Sequence, residues 1–134
     1  MSVDISIPAA ESRDLDQITH WIGTVGTSYT ICLYVAMRDT VIDSISFGSD
    51  GGESSNTLSF VYAANGVDPD TTSTTIYSRN TATSGLAIAA VTNYTVTSAD
   101  MTNNVIPAGS RVYVKMTSGS EANAWVSMRI RTGR

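Results

Sequence analysis

The sequence predicts an all-β protein, a single-domain antiparallel β-sandwich, jelly-roll-like, of about eight strands. Short runs that alternate apolar and polar residues recur from one end of the chain to the other, and Gly, Pro, Asn and Asp bound them. Almost no window carries a helical period. Ser and Thr supply about a quarter of the 134 residues, and Thr favours strands while Ser favours turns. A chain of this length buries roughly two-thirds of its unfolded surface around one core. Residues 1–134 are therefore read as one domain, with 1–24 as an N-terminal arm or extension.

Taken in order, the strands are expected over 3–7, 29–38, 41–48, 57–64, 74–79, 93–98, 111–117 and 124–132. In the second, Ile31, Leu33, Val35 and Met37 form the core face. In the third, Val41, Ile45 and Phe47 do so, with Arg38, Asp39 and Thr40 as the turn between the two strands. Leu58, Phe60 and Tyr62 continue the pattern. After Pro107 and Gly109, Val112, Val114 and Met116 point inward and Arg111, Tyr113 and Lys115 outward. A Ser-Gly-Ser connection over 118–120 then leads to Val126, Met128 and Ile130, inward, against Trp125, Ser127, Arg129 and Arg131. Together, 111–132 read as a closing β-hairpin. Two stretches stay open: 9–22 as a short helix, an arm or a bulged strand, and 86–91 as a buried strand or a loop across the end of the sandwich. The glycines Gly23 and Gly26 suggest a turn before the second strand.

The residues offer little to catalysis. His20 is the only histidine, and its neighbours Ile18, Trp21 and Ile22 suggest a structural place rather than a general base. No Gly-x-Ser-x-Gly elbow or phosphate-binding loop is present. One Cys and one His cannot supply a zinc ligand set. Asp50, Glu53, Asp68 and Asp70 are the oxygen donors nearest to a calcium cluster, yet they stand in ordinary turn sequences. We expect no enzyme, no cofactor and no metal. Cys32, between Ile31 and Leu33, reads as a small buried residue. The longest apolar run, 31–37, falls far short of the roughly twenty residues of a membrane helix, and no membrane partner is expected. The N-terminus lacks the pattern of a secretory signal, which places synthesis in the cytoplasm. Asn93 opens a glycosylation sequon that reads as part of a strand.

Charge is more informative. Before Arg111 the chain holds eleven acidic residues against three basic ones, and from Arg111 onward five basic against Glu121 alone. A pI near 4.6 opposes the long-range attraction on which nucleic-acid binding relies. We therefore read Arg111, Tyr113, Lys115, Trp125, Arg129 and Arg131 as one basic, aromatic ribbon that meets a sister subunit or another protein.

The segments YVAMRDTVIDSISFGSD, SNTLSFVYAANGVDPDTTSTTIYSRNTATSGLA and NYTVTSADMTNNVIPAGSRVYVKMTSGSEANAWVSMRIRTGR carry a resemblance. The matching positions are Val35, Ala36, Arg38, Asp39, Val41, Ile45, Ser46 and Phe47, then Ile106, Ala108, Gly109, Val112 and Val114. From Tyr29 onward the chain resembles the small jelly-roll decoration, or cement, proteins of tailed-phage capsids. The resemblance implies a non-enzymatic virion protein, a homotrimer on the capsid exterior at threefold positions. There it would bind the major capsid protein and stabilise contacts between capsomers. The alternative is a phage fibre or receptor-binding β-domain in which Trp125 or Tyr77 stacks on a surface glycan.

Overall fold

The computed structural model describes residues 15–25, 29–116 and 121–132. Among the described residues nine strands follow one another: β1 (Leu15–Val25), β2 (Tyr29–Val35), β3 (Thr40–Ser49), β4 (Thr57–Ala63), β5 (Thr74–Asn80), β6 (Tyr94–Thr97), β7 (Val105–Ile106), β8 (Arg111–Met116) and β9 (Glu121–Thr132). A single 3-10 turn over Ser98–Asp100 separates β6 from β7. The strand expected over 3–7 lies outside the described residues.

All pairings are antiparallel. Sheet A runs β1-β9-β3-β6, with β7 also on β3, and sheet B runs β2-β8-β4-β5. Chain-sequential strands repeatedly change sheet, so the two four-strand paths form a jelly roll, a sandwich of the all-β class the sequence predicts.

The closing hairpin does not form. β8 pairs with β2 and β4 in sheet B, whereas β9 pairs with β1 and β3 in sheet A. The two strands therefore belong to opposite sheets. Alternation marks each run as a strand, but it does not say which strand lies beside it.

The core fills the space between the sheets with Leu33, Ile42, Ile45, Phe47, Leu58, Phe60, Ile76, Val112, Val114, Met116, Val126, Met128 and Ile130. Expected core residues lie outside it: Val35 is 46% exposed and Met37 82%. An irregularity between Cys32 and Tyr34 shifts the phase of β2, so that Tyr34 and the buried Ala36 turn toward the core and Val35 turns outward. Cys32 is exposed rather than buried, because it alternates with the inward Ile31 and Leu33 and stands opposite Tyr113 on the outer face. In β3 a bulge between Ile42 and Ser44 makes Ile42 the fully buried residue, and Val41 is half-exposed.

The open stretches settle as well. Within 9–22, the described part belongs to β1, a strand with register shifts between Trp21 and Gly23 and between Gly23 and Val25. Residues 15–24, read as part of an arm, thus form an edge strand of sheet A, and Gly23 lies within it rather than in a turn. Residues 86–91 are loop. Ile88 alone makes a bridge, to Glu53, and is buried.

The two sides of the sandwich are closed by different chemistry. On one side the His20 Nε2 hydrogen-bonds the Leu33 carbonyl, joining edge strand β1 to edge strand β2. On the other, the Thr102 amide donates to the Ile76 carbonyl, while the Thr102 hydroxyl and the Asn103 side chain donate to that of Thr75. These bonds occupy the outer edge of β5, a usual site of unwanted strand pairing. Nearby, Arg79 lies 4.8 Å from the Tyr94 ring centroid and donates to the Leu86 carbonyl. Its guanidinium thereby caps an aromatic cluster of Phe47, Phe60, Tyr77 and Tyr94.

Candidate functional site: the open face of sheet A

The six residues read as one ribbon divide between the two sheets. Arg111, Tyr113 and Lys115 stand on β8 in sheet B, and Trp125, Arg129 and Arg131 on β9 in sheet A. Because the outer faces of a sandwich point in opposite directions, the structure does not bring them together.

The sheet B trio holds the chain's own loop. Arg111 donates to the Asn65 side chain. The Lys115 Nζ donates to the Pro69 carbonyl at 3.2 Å and stands 3.6 Å from the Asp70 carboxylate. Thr30 adds a 2.7 Å hydrogen bond to Asp70, and Asp68 closes a turn by accepting from the Asp70 amide. Beneath these tethers Tyr113, only 8% exposed, packs with Val61 and Ala63 under Val67. The cations and aromatic ring that suggested a free contact surface are thus largely occupied by residues 65–70.

Sheet A keeps its outer face open. Thr19 lies opposite Ser127, Ser127 opposite Ser46, and Ser46 opposite Thr95, so four hydroxyls cross all four strands in one rung. Thr19 and Ser127 share a hydrogen bond of 3.1 Å, Ser46 and Thr95 one of 2.8 Å, and Gln17 donates to Ser127 at 3.0 Å. Gln17, Arg129, Ser44 and Thr97 form the next polar rung. Arg131 beyond it binds both oxygens of Asp43, with Nε 2.9 Å from Oδ2 and Nη2 3.0 Å from Oδ1. This fork cancels two charges at the end of the face. Arg129 is exposed.

At the other end Trp125 lies opposite Gly48 and donates its indole N–H to Asn93 at 2.8 Å. The glycine is required, since a Cβ there would stand 2.4 Å from the indole Cζ2. Trp125 is consequently half-buried, and Tyr77 is half-buried with its ring centroid 6.2 Å from that of Phe47. Neither ring stands free as a platform for stacking on a sugar.

Short hydroxyl side chains leave a flat, nearly neutral surface. They have little rotamer freedom to lose on contact, in contrast to Lys and Glu. The sequence reading missed this ladder, because Thr19 and Ser127 stand 108 residues apart and Ser46 and Thr95 stand 49 apart. Alternating Ser and Thr in β-prone runs was the only local sign.

The acidic candidates are otherwise engaged. Glu53 accepts from the Ser54 and Ser55 amides, and among the described residues no three His, Cys, Asp or Glu side chains gather as metal ligands do.

No protein-family model matches the chain, and no curated protein matches it. Among solved structures it is similar to a protein described under "Bacillus endospore appendages form a novel family of disulfide-linked pili". That match has a TM-score of 0.45 and 15% identity and covers 98% of this chain and all of the other. It is also similar to a chain from the structure of infectious bursal disease virus Gx strain, with a TM-score of 0.36 and 18% identity, over 89% of this chain and 31% of the other.

Proposed function

We propose that this protein is a non-enzymatic structural subunit that assembles through the open face of sheet A. It decorates the exterior of an icosahedral phage capsid as a homotrimer and stabilises contacts of the major capsid protein. The carrying observation is the hydroxyl rung Thr19, Ser127, Ser46 and Thr95, exposed at both ends and flanked by Arg129 and Trp125. Four strands spaced ~4.8 Å apart and some ten residues rising ~3.3 Å each give a face of roughly 600 Å². A standard interface takes about 800 Å² from each partner, so the face and its rim suffice. Residues such as Trp125 and Arg129 belong to the types that dominate interface energies. The phage setting and the threefold assembly rest on the sequence resemblance from Tyr29 onward.

The test replaces Ser127 and Ser46 by Lys, which puts two long cations in the centre of the rung. Both positions are half-exposed, so the subunit should keep its β-type circular dichroism and its melting temperature within a few degrees. Trimer formation in sedimentation velocity, and recovery in virions of the phage that encodes it, should both be lost. Unchanged assembly in both assays would refute the proposal.

A further inference from the structure

The open face of sheet A carries one charge that its own copy does not offset. Arg129 stands in the rung Gln17, Arg129, Ser44 and Thr97, near the middle of the face, and is exposed. Among the described residues no carboxylate pairs with it, since Asp43 is taken up by Arg131. A partner that covers this face must bring a carboxylate to that height, or an unpaired cation is buried. A second sheet A face brings none. Face-to-face pairing sets one Arg129 within about a Debye length, ~8 Å, of the other, and such a self-matched contact closes at two copies.

The same rung ends on a carboxylate at the flank of the sandwich. Thr97 leads straight into the 3-10 turn over Ser98–Asp100, and its amide donates to Asp100 Oδ2 at 3.4 Å. That single long bond leaves most of the carboxylate free. Asp39, in contrast, holds the Ala108 amide at 2.9 Å, Asp68 that of Asp70 at 2.9 Å, and Asp70 the Thr30 hydroxyl at 2.7 Å. Asp50 and Glu53 follow Ser49, beyond the Trp125 end of the face. After Asp100 the chain crosses to sheet B, where Thr102 and Asn103 bond β5. The flank so formed exposes Ser98, Ala99, Asp100, Thr102 and Asn103, short side chains with one negative charge. It complements the short side chains and single positive charge of the sheet A face. Within one copy the two charges do not meet, because Thr97 and Arg129 stand two strand spacings of ~4.8 Å apart.

We infer, on the reading of that face as the assembly surface, that sheet A of one copy docks on the flank formed by residues 98–103 of the next. Arg129 then pairs with Asp100 of the partner subunit, and three such contacts close the homotrimer. A threefold axis parallel to the strands leaves all copies at one height, so residues of one level meet, and Arg129 and Asp100 belong to one rung. Face and flank are adjacent sides of the sandwich, which suits a closed ring. The opposed outer faces of sheets A and B would instead stack copies into an open file. Loss of water between the two flat surfaces strengthens the pair over one left in solvent.

The experiment measures the monomer–trimer midpoint by sedimentation velocity across a dilution series for the wild type, Arg129→Glu, Asp100→Arg and the double reversal, with circular dichroism reporting the fold. Each single reversal should raise the midpoint concentration by about tenfold or more, and the double reversal, which restores an opposite pair, should return it to within about threefold of wild type. Asp100→Asn keeps an oxygen for the Thr97 amide and removes the charge, so it should weaken the trimer while the melting temperature holds. A double reversal no better than the singles, or Asp100 variants that trimerise as the wild type does, would overturn the pairing. Where the Ser46→Lys, Ser127→Lys variant loses the trimer alongside such indifference, the sheet A reading stands without this pair. A wild-type chain that stays monomeric at every concentration would overturn both.

Discussion

Gly48→Ala tests the packing that holds Trp125 at one end of the sheet A face. The added Cβ would lie 2.4 Å from the Thr92 carbonyl oxygen and 2.4 Å from the indole Cζ2. It is thus short of ordinary contact on two sides at once. The ring can yield by tilting, but only by straining its 2.8 Å hydrogen bond to Asn93. The Thr92 carbonyl is backbone, next to Val91, whose amide is tied to the Ser49 carbonyl at 2.9 Å, so the loop must shift with it. Overpacking costs about 1–3 kcal/mol, and a lost hydrogen bond adds about 1 kcal/mol. We therefore expect a loss of about 2–3 kcal/mol. With a urea slope of about 1.5 kcal/mol/M, the unfolding midpoint should drop by roughly 1.5 M. Trp125→Ala removes one obstacle and leaves the other, so Gly48→Ala should cost less in that background, with a coupling of about 0.5–3 kcal/mol. A midpoint shift under about 0.3 M, or strict additivity of the two substitutions, would refute the reasoning.

Cys32 is exposed on edge strand β2, and a thiol reagent should label it stoichiometrically in the native protein without denaturant. Thr81→Val should cost about 1–3 kcal/mol in urea unfolding. The Thr81 hydroxyl donates to the Asn56 carbonyl at 2.8 Å and accepts from the Asn56 amide at 2.9 Å, and Val can do neither in that buried place. Lys115→Ala should change stability by less than about 1 kcal/mol, because the Lys115–Asp70 pair is partly solvated. Limited proteolysis should nevertheless cut residues 65–73 faster, since the Pro69 carbonyl loses its tether.

The face of sheet A was less legible than the strands that compose it. Arg129 and Trp125 stood out as residue types, and both are on that face. Arg111, Tyr113 and Lys115 stood out equally and lie on the other sheet, turned to the chain's own loop. Residue type signals what a side chain can do. Whether a partner is already at hand depends on which distant segment folds over it, as residues 65–70 fold over Tyr113.

The sequence by itself determined the all-β class, the approximate strands from Tyr29 onward and most of the core, from Leu33 through Phe60 to Ile130. Alternation is local, and burying one face of a strand suffices to write it into the chain. Only the tertiary structure decided that β8 and β9 belong to different sheets, that a shift after Cys32 turns Val35 outward, and that hydroxyls from four strands align in one rung. Pairing and register are settled by contacts between residues far apart in the chain. A connection such as Ser118-Gly119-Ser120 reads the same whether its flanking strands pair with each other or separate to opposite sheets.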